Sequence, residues 1–228
     1  MISWLPETNS ALILAPHPDD EALGCSGSIA LSNKSGASSR VVFLTSGERL
    51  HETPSASVAE RRREEARKAS EILGCREPMF LNFPDGELRS HEDRVYQELC
   101  RIIDLNKPDV VFSPSPIDFH KDHIATARIA LRLINVFASF KLAFYEVYST
   151  LRFNQLIDIT ETIELKKSAI MNYSTSLCNK PEVYLHAALG LNPQRSIFTQ
   201  KSGYYEAFWI IEKPTSTEEI TDWLTYRH

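Results

Sequence analysis

Five short hydrophobic runs, ALILAP, SRVVFLTSG, EPMFLNF, PDVVFSPS and KLAFYEVYS, are separated by amphipathic stretches, and this alternation narrows the available folds more than any other feature. Each run is rich in β-branched and aromatic residues and is bounded by turn residues, as a buried strand should be. The segments between them, GSIALSNKSG, VAERRREEARKASEILG, HEDRVYQELCRIIDLN and KDHIATARIALRLINVFASF, carry apolar positions at helical spacing. The first two end at a glycine suited to a helix C-terminus. A repeated strand-helix order predicts an α/β fold with a mostly parallel sheet, helices on both faces and right-handed crossovers. At 228 residues and 43% hydrophobic content, the chain is expected to form one domain spanning residues 1–228.

After about residue 145 the alternation loosens. LIDIT reads as a further strand, ETIELKKSAIMNYSTSL as a helix and YYEAFWIIEK as a late strand. Residues 178–203, with Pro181, Gly190, Pro193 and Gly203, read as a loop-rich segment over one edge.

Polar clusters follow the strands: HPDDE after the first, SGER after the second, NFPDGE after the third and SPIDFHKDH after the fourth. In open α/β sheets ligands bind outside the carboxyl ends of the strands, so the four clusters share one rim. Gly24 and Gly27 after the first strand are not spaced as GxGxxG, and Asp19, Asp20 and Glu21 would repel a dinucleotide pyrophosphate. Adjacent buried carboxylates need a compensating charge, and a divalent cation is the first candidate. His120 and His123 lie at the start of a helix and project from one face. Together with His17 and one aspartate they exceed what a mononuclear site needs, which leaves groups for acid and base work.

APHPDDEALGCSGSIA followed by FHKDH resembles the PIG-L/LmbE family of zinc-dependent N-acetylglucosaminyl deacetylases, and TSGE, RRREEARKASEILG and LNFPDGE extend the likeness over about the first 130 residues. The resemblance implies a Rossmann-like three-layer sandwich and hydrolysis of the acetamide of an N-acetylated amino sugar or its conjugate. It implies that His17, Asp20 and His123 are metal ligands, that Asp19 is the general base, and that His120 is the electrophilic or proton-donating partner. Asp122 would orient the catalytic imidazole, and Arg62, in an R-x-x-E pattern ending at Glu65, would contact the sugar. Zn2+ is the implied cofactor, with Fe2+ compatible with a His₂Asp set.

Each residue also has a plainer reading. Asp20 alone is an ordinary helix N-cap, Asp122 a first-turn carboxylate, and Arg62 a solvated charge in a charged helix. Asp85 is a turn former or a sugar-hydroxyl acceptor, and Glu48 a loop carboxylate or a group near the metal. Gly24 and Gly27 allow close packing of helix on strand, and Cys25 is a packed thiol. His51, His91, His186 and His228 have no partner spacing. Tyr184, Phe198, Tyr204 and Tyr205 read as packing under a loop before they read as a sugar platform. Tyr173 stands where many relatives have a histidine.

The net charge of −5 offers no clustered basic surface for nucleic acid. MISWLPETNS has no export signal pattern, no window approaches a membrane span, and Cys25, Cys75, Cys100 and Cys178 lack both metal spacing and disulfide density. A cytoplasmic protein acting on a small amino-sugar substrate is expected, and the resembled family often assembles as homo-oligomers. Two rivals remain: a metal-dependent hydrolase of another acylated amine or ester, and a catalytically idle sugar-binding module. Phosphoryl chemistry usually recruits arginine clamps or a second metal. Against the idle module stands the presence of Asp19 and His120 beyond the ligand set.

Overall fold

The structure is a computed structural model that describes residues 8–49, 55–137, 139–212, 219, 220 and 222. The N-terminal MISWLPE, His51 and His228 lie outside the described residues. The strands are β1 (Ser10–Ala15), β2 (Ser38–Thr45), β3 (Met79–Phe83), β4 (Val110–Pro114), β5 (Lys141–Tyr145), β6 (Gln155–Asp158) and β7 (Tyr205–Ile211). They form one seven-stranded sheet in the order β3-β2-β1-β4-β5-β7-β6. Pairing is parallel from β3 through β5, and β7 runs antiparallel to both β5 and β6.

Helices surround it, among them α1 (Asp20–Gly24), α2 (Ser26–Lys34), α3 (Ala56–Ile72), α4 (Glu92–Asn106), α5 (Lys121–Val136), α6 (Ile163–Asn172), α7 (Pro181–Gln194) and α8 (Ser196–Thr199). Alternation along β1 explains the layers. Ala11, Ile13 and Ala15 join a core with Ile29 of α2, Ala66 of α3 and Ile170 of α6, while Leu12 and Leu14 join Leu99 of α4 and Ile129 of α5 on the other face. Because both faces are covered, β1 is apolar at every position from Ala11 to Ala15 rather than alternating with polar residues.

One expectation needs correction. Within the stretch read as loop-rich, residues 181–194 are helical as α7. Pro181 occupies the first turn, where no N–H is needed, and the run VYLHAALGL has the helix formers to continue from it. Pro193 falls in the last turn, so it costs little of the helix beyond it.

Strand order reverses between β1 and β4, whose neighbours on the far sides are β2 and β5. The chain therefore leaves these two adjacent strands in opposite lateral directions, and the segments after Ala15 and Pro114 face a common crevice. HPDDE and FHKDH occupy those two segments.

Candidate active site

At the end of β1 the backbone turns through His17 and Pro18 into α1, and Asp19 takes φ 134° and ψ −26°. A non-glycine residue there is strained by about 1–3 kcal/mol, so neighbouring contacts must hold it. Arg62 of α3 does much of this: its Nη2 donates to Pro18 O at 2.8 Å and lies 3.5 Å from Asp19 Oδ2, and Nη1 donates to Gly47 O at 2.9 Å. Its Nε donates to Ser176 Oγ at 3.0 Å, and Glu65 accepts from the backbone N–H of Thr175 and Ser176 at 2.6 and 3.2 Å. Arg62 is only 3% exposed. That burial corrects its reading as a solvated charge, and three of its nitrogens are committed to protein acceptors.

The end of α1 and the start of α2 press tightly on β5 and on the residue after β6. A Cβ on Gly24 would lie 2.2 Å from the Tyr145 ring, and one on Gly27 would lie 2.6 Å from the Ile159 side chain. Only glycine lets these turns sit so close. Glu21, fully buried, receives a 2.5 Å hydrogen bond from Tyr173, which follows α6. Tyr173 is thus a buried partner of Glu21, and burial raises the Glu21 carboxyl to about 8 against the lowering effect of that hydrogen bond.

His17, Asp20 and His123 converge in the crevice. His17 Nδ1 lies 3.2 Å from Asp20 Oδ2, and His123 Nε2 lies 3.2 Å from Asp20 Oδ1. Behind each imidazole stands a carboxylate. His17 Nε2 is 3.1 Å from Asp85 Oδ1 and 3.3 Å from Asp122 Oδ2, and His123 Nδ1 is 3.4 Å from Asp118 Oδ2. Such carboxylates fix the tautomer, placing the proton on the outer nitrogen and leaving His17 Nδ1 and His123 Nε2 to face inward.

These residues fit a metal. Asp20 Oδ1 and His123 Nε2 are buried without a well-formed hydrogen bond. Two ligands about 2.0–2.1 Å from a tetrahedral zinc lie roughly 3.3 Å apart, close to the spacing found here. Donor atoms of His17, His120 and His123 also lie within 4.8 Å of one another, as do those of His17, Asp85 and Asp122. His120 is therefore a near neighbour of the proposed ligands as well as a candidate for other work.

Electrostatics follow from the crowding of carboxylates. Burial opposes ionisation of Asp20, but the close approach of His123 and the charge and hydrogen bonds of His17 outweigh it and hold the carboxyl well below its usual range. Burial likewise opposes the charged form of His123, yet Asp20 and Asp118 raise it to about 9. The same field favours a divalent cation, which binds by displacing those protons. Asp19 goes the other way: burial, reduced by the Arg62 charge, pushes it up to about 7. Its Oδ1 is buried and has no hydrogen-bond partner.

His120 is the N-cap of α5, and its Nδ1 accepts from Asp122 N at 3.3 Å. With Nδ1 occupied as an acceptor, the neutral ring carries its proton on Nε2. Burial, together with the charges of His17 and His123, lowers the His120 pKa, which favours that neutral form.

Three sequence expectations meet a different arrangement. The Asp122 carboxylate faces His17 and accepts from Gly86 N and Leu88 N, at 2.7 and 3.1 Å, instead of orienting His120. Asp85 is both turn former and histidine partner: Oδ1 meets His17 and Oδ2 accepts from Arg49 N. Glu48 braces Asp85 by accepting its N–H at 2.9 Å. Asp118, Tyr148 and Ser176 were missed. Asp118 stood in the quoted cluster SPIDFHKDH, and its place two residues before a histidine was the available signal. Tyr148 lies parallel to His123, ring centroids 5.5 Å apart, but nothing in VYST marks it.

A mostly parallel sheet with a reversal of strand order, and a buried His-Asp cluster at that reversal, define a Rossmann-like α/β protein with a metal-capable centre. The model of the family PIG-L, GlcNAc-PI de-N-acetylase, matches residues 12–134, more than half of the chain, and the chain belongs to that family. A diacetylchitobiose deacetylase of Thermococcus kodakarensis is 26% identical over 190 residues, covering 74% of this chain and 70% of its own. The solved N,N'-diacetylchitobiose deacetylase of Pyrococcus horikoshii superposes with a TM-score of 0.74 at 26% identity, over 90% of this chain and 84% of that one. The 4-carboxy-2-hydroxymuconate hydratase GalB of Pseudomonas putida superposes with a TM-score of 0.77 at 25% identity, over 91% of this chain and 98% of that one. No helix among the described residues is long and apolar enough to cross a membrane.

Proposed function

We propose that the protein is a zinc-dependent N-deacetylase that hydrolyses the acetamide of an N-acetylated amino sugar, of the N-acetylglucosamine type or a conjugate of it. The observation that carries this reading is the convergence of His17 Nδ1, Asp20 and His123 Nε2 on one buried point, with Asp19 Oδ1 uncommitted beside it. The likeness to deacetylases of N-acetylated disaccharides supports the substrate class.

His17, Asp20 and His123 hold the metal in this reading. When bound, zinc activates a water and polarises the amide carbonyl, and ferrous iron suits the same donors. Asp19, not itself a ligand, takes the proton of the attacking water at Oδ1. His120 donates from Nε2–H to the carbonyl oxygen as that oxygen gains negative charge. Asp19 then returns the proton to the sugar nitrogen as the C–N bond breaks, giving acetate and a free amine. Arg62 positions Asp19, and Asp85, Asp118 and Asp122 hold the two ligand imidazoles. Glu48 acts through Asp85.

The test is release of free amine from N-acetylglucosamine and its glycosides by native, chelated and zinc-restored protein. Activity that is lost on chelation and restored by zinc supports the reading. No amine from any acetamido sugar at stoichiometric bound metal overturns it. 4-Carboxy-2-hydroxymuconate, an unsaturated tricarboxylate, assayed in parallel tells a hydratase from a deacetylase, because the likeness to GalB also covers nearly the whole chain.

A further inference from the structure

Asp118 ties together more than the metal-capable centre. The carboxylate that faces His123 Nδ1 also accepts from His120 N through Oδ1 at 2.9 Å and from Tyr148 N through Oδ2 at 3.2 Å. The residues entering α5 and the segment after β5 are thereby fixed on one anchor, which is itself buried. On that anchor two aromatic side chains meet. The rings of Phe119 and Tyr148 lie with centroids 5.2 Å apart at an interplanar angle of 38°, and the Tyr148 ring in turn lies parallel to His123.

A graded line of rings results. His17, His120 and His123 approach one another at centroid separations of 4.7 to 5.6 Å, His123 meets Tyr148, and Tyr148 meets Phe119. His123 is fully buried, whereas Tyr148 is 42% and Phe119 72% exposed, so the line runs from the metal-capable centre out to solvent. Neither Phe119 nor Tyr148 belongs to the core on either face of the sheet, and the packing of the fold does not account for them. Aromatic surface left open and continuous with a polar site marks a place where something binds.

What lies there is decided by what reaches the metal. An acetamide at the centre carries its sugar ring directly on the nitrogen, which puts that ring just outside the histidines. The faces of a glucose-type pyranose are made of axial C–H groups, with the hydroxyls turned to the edge. An aromatic face carries partial negative charge, attracts such C–H groups and sheds water with them. We propose that Phe119, supported by Tyr148, is the platform on which a face of the substrate's pyranose ring stacks, and that it selects a cyclic sugar over an open-chain acetamide. The proposal rests on the deacetylase reading for the substrate. Because Asp118 holds both segments beforehand, little is left to be ordered when the ring arrives.

The experiment compares N-acetylglucosamine with N-acetylglucosaminitol, its open-chain alcohol carrying the same acetamide, as substrates of the zinc-loaded protein. KM and kcat are read separately for the native chain, Phe119→Leu and Phe119→Trp. Leucine stays apolar but has no aromatic face, and at a position this exposed neither substitution reaches the core. Phe119→Leu should raise KM for the ring sugar roughly tenfold with little change in kcat, while KM for the open-chain amide stays put and Phe119→Trp keeps the native preference. Calorimetric titration with methyl β-D-glucosaminide, which has no amide to cleave, follows the same three proteins without turnover and should weaken only in Phe119→Leu. An equal response of both substrates to Phe119→Leu overturns the proposal, as does glucosaminide binding that is absent or identical in the native chain and Phe119→Leu. So does sedimentation that shows an assembly of native chains dissolved by Phe119→Leu with KM unchanged, since a second copy would then cover the rings. Glucosaminide binding that Phe119→Leu weakens and Phe119→Trp keeps, with no amine released from any acetamido sugar, upholds the platform and overturns the deacetylase reading alone.

Discussion

Arg62 Nη2 lies 2.8 Å from Pro18 O and 3.5 Å from Asp19 Oδ2, so one guanidinium nitrogen spans the turn that carries the strained aspartate. Its other two nitrogens reach Gly47 O and Ser176 Oγ, tying the loop after β2 and the segment after α6 to the same point. Lysine offers a single ammonium and cannot reproduce this fork. Arg62→Lys should lower stability by about 2–4 kcal/mol, since at least one buried acceptor loses its donor. It should also reduce kcat more than it raises KM, because Asp19 loses its fixed position. Thermal unfolding and steady-state kinetics on the same preparation check both. Loss confined to KM would return Arg62 to the sugar-binding role its sequence position suggested.

Asp19 and His123 are both buried and lie in the same crevice, yet different roles are assigned to them. Asp19→Ala should abolish turnover, by about 10²–10⁴-fold for loss of an acid-base group, while bound zinc persists at the native ratio. His123→Ala should lose turnover and metal together. Metal content by elemental analysis beside amine release decides the matter, and equal metal loss in the two variants would contradict the division of roles.

How much of this was legible in the sequence depends on the range of the interaction. β1 through β5 and the helices between them declare themselves through local periodicity, and HPDDE with FHKDH could be placed on one rim because each cluster ends a strand run. What escaped was nonlocal or depended on side-chain direction. Asp122 looks like a partner of His120 by adjacency, but two residues along a helix point apart, and its carboxylate turns to His17, 105 positions away. Arg62 sits in a run of charges and reads as a sugar contact or a solvated charge, because nothing local tells that α3 lays this one arginine over the end of β1. Residues 181–194 read as loop for their two prolines and glycine, although a first-turn proline suits a helix and one as late as Pro193 interrupts only its end.

Gly24 shows how the site depends on packing that leaves no room. The Tyr145 ring against it is fully buried and donates from its hydroxyl to Leu14 O at 2.9 Å, so it cannot swing aside without losing that bond. Gly24→Ala should therefore cost about 1–3 kcal/mol by overpacking, and α1, with Asp20 at its start, should shift with it. The expected readout is a lower midpoint in urea together with weaker zinc binding. A drop in stability with unchanged zinc affinity would mean that α1 is less rigidly coupled to the metal ligands than the contact implies.

Asp118 offers the sharpest separation of holding a metal from holding its holder. Its Oδ2 lies 3.4 Å from His123 Nδ1 and accepts from Tyr148 N at 3.2 Å, while its Oδ1 accepts from His120 N at 2.9 Å. Asp118→Asn keeps the shape and one acceptor but removes the negative charge that favours the Nδ1–H tautomer of His123. A ligand histidine deprived of such a partner binds its metal about 10–100-fold more weakly. Zinc titration of the variant should show a loss of that size, with kcat returning near the native value once zinc is saturating. His123→Ala should not recover at any zinc concentration, because a ligand is gone. If Asp118→Asn stays inactive at full zinc occupancy, the carboxylate acts on the reaction through His120 or Tyr148, and its role as a support for His123 alone is wrong.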